Sequence, residues 1–546
     1  MKTLFINGNI HTMDEASHAD AFVVEGNKFV YVGTQSGARD YLKAQSFDEV
    51  DLKGLFVMPG FNDSHLHFLY YSRGLQNVDL TGVRSIEEIK ERIKEKINKR
   101  EDNDNSWLEG EGWNQDYFED EKRFPNKFDL DSITGAVPAL FVRACMHVGV
   151  LNSAALKLIS LNKETAKKYG ELIETLPDGE PNGVIKEDLL YIVKTQISNI
   201  NLETLKNIID EAQHFALAQG ITSIQTDDIA YTTDRDYELL FQAFKELDKE
   251  ERLKLRIGEQ CMISDPELLK EFFEKGYNHG YGNNRYRVNC IKIFSDGSLG
   301  ARTAALKAPY NDAPDTKGIE IYNQDEINEL VLISHMNNCP VAIHAIGDRG
   351  MEMSLNAIEN AQRKNPSHNL RHGIVHCQIT DEELLNRIKK LNVITFIQPI
   401  FIDYDMTIVY DRVGNALSET SYAWKTMIDK GIHASFGTDC PVEKFDTMPN
   451  IYTAVTRKNV TGEEKRVYLP NQKLSIDEAL KAYTIEGAYA SGEEHIKGSI
   501  TAGKLADFIL LNKDLYNLAD DEEILNTKVI ETYVNGESVY KNKNFS

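Results

Sequence analysis

Residues 341–346 read Val-Ala-Ile-His-Ala-Ile, an apolar run of strand length interrupted by one histidine, His344. An amphipathic helical pattern precedes it over Asp325 to Met336, and the next short apolar run, Gly373–Cys377, also carries a histidine, His376. Runs that are apolar at both parities suit strands buried on both faces, as in a parallel sheet covered by helices. Working outward, the same alternation gives eight such runs: Leu55–Phe61, Ile221–Thr226, Leu253–Gln260, Val288–Phe294, Val341–Ile346, Gly373–Cys377, Val393–Gln398 and His433–Gly437. Helical patterns such as Asp381 to Leu391 lie between most of them. Eight β-α repeats without a long polar break predict an α/β protein built on a (β/α)8 TIM barrel.

One interval is about three times too long for a β-α unit. The stretch of about 75–215, between the first and second runs, reads as an insertion domain. It holds a helix over Ser85 to Arg100 with isoleucines at 86, 89, 93 and 97 and a capping box of Ser85 and Glu88. The two chain ends look alike. Asn7-Gly8, Gly26-Asn27 and Asn535-Gly536 each separate β-branched runs, the strongest short hairpin signal, because such turns need φ > 0. Both ends therefore read as parts of one small β-sandwich, 1–54 from the N-terminal side and 491–546 from the C-terminal side, around a barrel over 55–490.

Of the 546 residues, 41% are hydrophobic, enough for a sizeable core. Sixty-one Lys and Arg stand against 85 Asp and Glu, a net charge of −24, which argues against nucleic acid or an anionic membrane as partner. No apolar stretch reaches the roughly 18 residues that would span a bilayer, and the start, MKTLFINGNIHTMDE, is too short in apolar residues for a signal peptide. Six cysteines without CxxC spacing read as reduced core thiols, and the expected location is cytoplasmic.

Run one leads into Pro-Gly-Phe-Asn-Asp-Ser-His-Leu-His over 59–67. Residues i and i+2 of an extended strand share a side, so His65 and His67 can reach one metal ion together, although a lone HxH also serves packing. The other polar, metal-capable residues fall at matching places: Lys292 in run four, His344 in run five, His376 in run six and Asp439 after run eight. These are C-terminal ends of predicted barrel strands, where the active sites of such barrels form. A buried lysine demands a function or a buried carboxylate partner such as Asp296.

This arrangement resembles the amidohydrolase superfamily of metal-dependent hydrolases over nearly the whole chain. Its family 3, YtcJ-like branch, related to N-substituted formamide deformylase, is similar in further strings: 292–298 (Lys-Ile-Phe-Ser-Asp-Gly-Ser), 344–348 (His-Ala-Ile-Gly-Asp), Gln398-Pro399 and 503–507 (Gly-Lys-Leu-Ala-Asp). The resemblance implies metal ligands His65, His67, Lys292, His344, His376 and Asp439. It also implies one or two divalent ions per chain, Zn2+ first, and a carbamylated Lys292. The implied reaction is hydrolysis of a non-peptide C–N bond in a small N-acyl or N-formyl compound by a metal-activated hydroxide, with Asp439 as the catalytic proton carrier. Thr438 stands where serine often precedes the last ligand, a change without chemical consequence. His147 and Trp113 are candidates to contact the small-molecule substrate, and Asp348 to orient His344; ordinary packing and capping roles compete with all three. A homodimer suits such enzymes, but no interface signature stands out. Two other readings compete with this one. A single-metal deaminase of the superfamily would carry a glutamate shortly after the strand-five histidine, where Gly347 stands, and would lack Lys292. A non-catalytic scaffold would have lost ligands. No phosphate-cradling loop is present.

Overall fold

The computed structural model describes residues 2–545 apart from 16, 44, 101–106, 120, 145–147, 198–200, 230, 231, 233–235, 368 and 463. It separates into two compact units, Met1–Tyr70 with Ile209–Tyr231 and Tyr237–Ser546, and Tyr71–Ile208 with Thr232–Asp236.

In the first unit eight parallel strands form one sheet in sequential order: β1 (Phe61–Leu66), β2 (Ile221–Thr226), β3 (Arg256–Met262), β4 (Tyr286–Phe294), β5 (Val341–Ala345), β6 (Gly373–His376), β7 (Ile394–Ile397) and β8 (Ala434–Phe436). The first and last strands meet through side chains and the β8 loop rather than a ladder. Ser64 Oγ donates to Phe436 O at 2.8 Å, and the amide of Asp439 donates to His65 O at 2.9 Å. Gly437 makes this approach possible, because a Cβ there would lie 2.7 Å from His65 N. The (β/α)8 expectation holds.

Strand one corrects the sequence reading by several residues. The run Leu55–Phe61 is not a barrel strand: Phe56–Pro59 pairs with Phe508–Leu511 in another sheet, and the chain enters the barrel only after Gly60. The amide of Gly60 still bonds Asp507 O, whereas that of Phe61 bonds Gly220 O just before β2, so the switch of sheets takes one residue.

The chain ends supply two sheets. One has the order Lys28–Gly33, Ala21–Glu25, Lys2–Ile6, Phe47–Asp51; the other runs Glu537–Lys541, Val529–Val534, Phe508–Leu511, Phe56–Pro59, Asn9–His11, His18–Ala19. Phe5, Phe22 and Phe29 from the first pack with Val57, Phe508 and Tyr533 from the second in one core, as a sandwich requires. Gly26-Asn27 and Asn535-Gly536 turn hairpins as expected. Asn7-Gly8 does not: the strands it joins belong to different sheets, so it forms a corner of the sandwich. The fold of that corner was invisible to a rule that reads only the turn residues.

The second unit carries a six-stranded sheet ordered Ile173–Thr175, Pro181–Lys186, Val148–Leu151, Ala139–Arg143, Leu108–Trp113, Val78–Asp79. Its helix Ile86–Ile97 buries Ile86, Ile89 and Ile93. Ser85 caps it by accepting the Glu88 amide at 3.0 Å, but the Glu88 carboxylate turns to the amide of Arg84, so the box is only half formed. Among the described residues no helix is long and apolar enough to cross a membrane.

Candidate metal centre

Three side chains converge at the C-terminal end of the barrel. His65 is the penultimate residue of β1, His67 follows the strand, and Asp439 sits two residues past Gly437 in the left-handed region (φ 57°). Asp439 Oδ1 lies 3.5 Å from His65 Nε2 and 3.2 Å from His67 Nε2. All three residues are at least nine-tenths buried, and Oδ1 has no hydrogen-bond partner among the described residues. A buried carboxylate oxygen facing two imidazole nitrogens is a donor set that could hold a cation, and this is the only such group of three among the described residues. The donor set therefore fits a divalent metal ion.

Ladder register brings the remaining candidates to the same end. Phe294 of β4 is level with His344 of β5, and Ala345 is level with His376 of β6. The His344 and His376 rings lie 4.4 Å apart between centroids, and His376 and His65 5.7 Å. Lys292 is wholly buried, with Nζ 3.2 Å from His65 Nε2 and 4.3 Å from the centre of the Phe294 ring. Its nearest carboxylate is Asp227, at 3.6 Å, which also lies 3.9 Å from His67 Nδ1. The suggested partner Asp296 is engaged elsewhere: it accepts the amides of Ala305, Ile346 and Gly347 and lies 3.6 Å from His344 Nε2.

Burial sets the protonation of this cluster. It pushes His344 down to about 3 and His65 and His376 well below the usual histidine range, with Lys292 adding to the effect. His67 moves the other way, because the adjacent carboxylates of Asp439 and Asp227 outweigh its desolvation. Burial also lowers the pKa of Lys292, against the pull of Asp227 and Asp439. Three imidazoles whose charged form burial disfavours leave lone pairs for a cation.

Hydrogen bonds hold the rings. Gln260 Oε1 of β3 lies 2.7 Å from His65 Nδ1, Gln398 Oε1 lies 2.8 Å from His376 Nδ1, and Gly297 O lies 3.1 Å from His344 Nε2. Asp63 fastens the β1–β8 seam by accepting both the amide and the hydroxyl of Thr438, and burial raises its own pKa to about 7. Asp227, Gln260 and Asp63 were not singled out from the sequence. The rule that found the ligands, a polar residue where a buried run ends, applies equally to Asp227-Asp228 after β2 and to Gln260.

The weaker candidates fare differently. Trp113 fills the core of the second unit: it is fully buried and its indole N–H donates to Phe141 O at 3.1 Å. Asp348 opens the helix Asp348–Lys364 and accepts the amide of Lys307 at 3.0 Å; the carboxylate nearest His344 is that of Asp296. His147 lies outside the described residues.

Comparison with known proteins agrees with this geometry. The model of the amidohydrolase family matches residues 48–540. The amidohydrolase YtcJ of Bacillus subtilis is 30% identical over 543 residues, covering 99% of this chain and 100% of the relative. The N-substituted formamide deformylase of Arthrobacter pascens is 25% identical, over 98% of this chain and 97% of its own. Among solved structures, an uncharacterized metal-dependent hydrolase from Pyrococcus furiosus superposes with a TM-score of 0.79 at 31% identity, covering 95% of this chain and all of the other. With a family model matched from the terminal sandwich through the whole barrel and a His-His-Asp group that could hold a metal ion, the chain belongs to the amidohydrolase family.

Proposed function

We propose that this hydrolase, which acts on C–N bonds, cleaves the amide-type bond of a small N-acyl or N-formyl compound with His65, His67 and Asp439 holding a divalent cation. The observation that carries the reading is the buried Asp439 Oδ1, 3.5 and 3.2 Å from two histidine Nε2 atoms. Imidazole and carboxylate donors suit Zn2+. The N-formyl choice rests on the similarity to the formamide deformylase. His344 and His376 would hold a second ion, with Lys292 joining the two as a carbamate; a lysine biased toward its neutral amine by burial is the form that adds carbon dioxide. When bound, the cation polarises the scissile carbonyl and makes the attacking water more acidic.

The protein's own groups do the rest. Asp439 takes the proton of the attacking water and delivers it to the leaving nitrogen. The hydrogen bond that its backbone amide donates to His65 O fixes the backbone of Asp439 beside the histidine. The barrel wall keeps Lys292 and the three neutral histidines dry, which strengthens every charge interaction inside. In Asp439→Asn, release of formate from N-formyl amines should fall about 10²- to 10⁴-fold, the usual weight of one positioned acid–base group. Near-normal kcat in that variant, with its metal retained, would sink the assignment.

A single-ion deaminase draws support from one feature, the single group of three ligands among the described residues. Ammonia release from amine-bearing heterocycles, without acid release from amides, would favour it.

A further inference from the structure

We infer that Gln260 and Gln398 are positioning residues that set the tautomers of His65 and His376 and so decide which nitrogen each offers to a cation. The inference rests on the cation-binding reading above. Each glutamine amide is oriented by a second hydrogen bond: Gln260 Nε2 donates to Ser64 O at 3.1 Å, and Gln398 Nε2 donates to Phe396 O at 3.2 Å. Turning either amide over would set its oxygen against a carbonyl oxygen, a repulsive contact. The oxygen of each therefore faces imidazole Nδ1, at 2.7 and 2.8 Å, and an oxygen there can only accept. Both rings must carry hydrogen on Nδ1 and a lone pair on Nε2. The contact of Lys292 Nζ with His65 Nε2 at 3.2 Å is compatible with this tautomer, the amine donating to that lone pair.

His344 is held the other way round. Its Nε2 faces the carbonyl of Gly297, which can only accept, so the hydrogen sits on Nε2 and the free lone pair on Nδ1. Two side-chain amides and one backbone carbonyl thus assign three imidazoles. Both glutamines are buried, at 0% and 3% exposure, so no water can replace a lost acceptor without entering the barrel. They are also uncharged. A carboxylate at either position would make the imidazole a stronger donor to the cation, as histidine–carboxylate pairs do in other metal sites.

The experiment uses the full chain with Zn2+ as the probe. Nitrogen-15 NMR of the metal-free protein, labelled at histidine, should show Nδ1–H for His65 and His376 and Nε2–H for His344. In Gln260→Leu and Gln398→Leu, Zn2+ affinity should fall roughly 10- to 100-fold, while Gln260→Glu and Gln398→Glu keep it. Leucine variants that remain folded by circular dichroism with wild-type Zn2+ affinity would overturn the inference. So would an Nε2–H signal from His65 or His376 in the wild type, which decides the matter even if a leucine variant fails to fold. A protein that passes these tests but releases no acid from any amide would refute the proposed substrate class and leave this assignment standing.

Discussion

At the scale of single residues, the centre depends on side chains that are costly to bury alone. Lys292 is the clearest case: it is enclosed by the barrel, between His65, Asp227 and the ring of Phe294. If it bridges two ions, Lys292→Ala should lower metal content per chain, measured by mass spectrometry on protein purified without chelators and with bicarbonate. One ion per chain, unchanged in the variant, would reduce Lys292 to the partner of Asp227. The six ligand candidates were legible because histidine, lysine and aspartate are conspicuous where an apolar run ends. Gln260 was not, because an amide at a strand end has no chemistry of its own until the ring it faces is known. Asp227 is hard to single out for a related reason: the sequence shows two adjacent acids after β2, and only the barrel's curvature tells which one reaches Lys292.

At the scale of elements, the sequence was most legible where a run stood alone between helices, as β2 and β5 do, and least where two strands followed each other directly. Phe56–Pro59 and Phe61–Leu66 are buried along their whole lengths, so periodicity could not show that Gly60 sends them to different sheets. The seam that results is tight. Gly437→Ala would place a Cβ within 2.8 Å of both His65 N and His65 O, backbone atoms that cannot swing aside. A loss of about 1–3 kcal/mol in denaturant unfolding is expected, together with weaker metal binding. At the other end of the barrel His335 and His372 form a buried pair: the amide of Val341 donates to His372 Nδ1, and His372 Nε2 lies 2.9 Å from His335 Nδ1. Burial and His335 push His372 down to about 3 from the ordinary value of about 6.5. The unfolded chain therefore binds this proton first, and stability is lost as pH falls from about 6.5 toward 3. Denaturant midpoints should drop over that range less steeply in His372→Gln than in the wild type; equal slopes would remove His372 as a cause.

At the scale of the whole molecule, the string Gly-Lys-Leu-Ala-Asp over 503–507 acquires a physical meaning. Asp507 receives Arg256, at the start of β3, through two bonds of 2.6 and 2.8 Å, and the same guanidinium reaches Asn535 and Asn284 O. Barrel and terminal sandwich are thus clamped by a buried ion pair. Asp507→Ala leaves the guanidinium charged and unpaired, which costs about 3–5 kcal/mol, whereas replacing both partners by apolar residues should cost much less. Urea unfolding of the single and double variants would separate these outcomes; a single variant as stable as the wild type would contradict the clamp. The sandwich carries a further consequence, for synthesis. Phe56–Pro59 leaves the ribosome early, yet its partner Phe508–Leu511 is made some 450 residues later. At the usual elongation rates of about 5–20 residues per second, an apolar strand edge waits roughly 20–90 s for its mate. For that interval the nascent chain offers an open edge to any neighbouring strand, so the yield of folded enzyme depends on how well the cell shields a growing polypeptide whose first sheet is completed last.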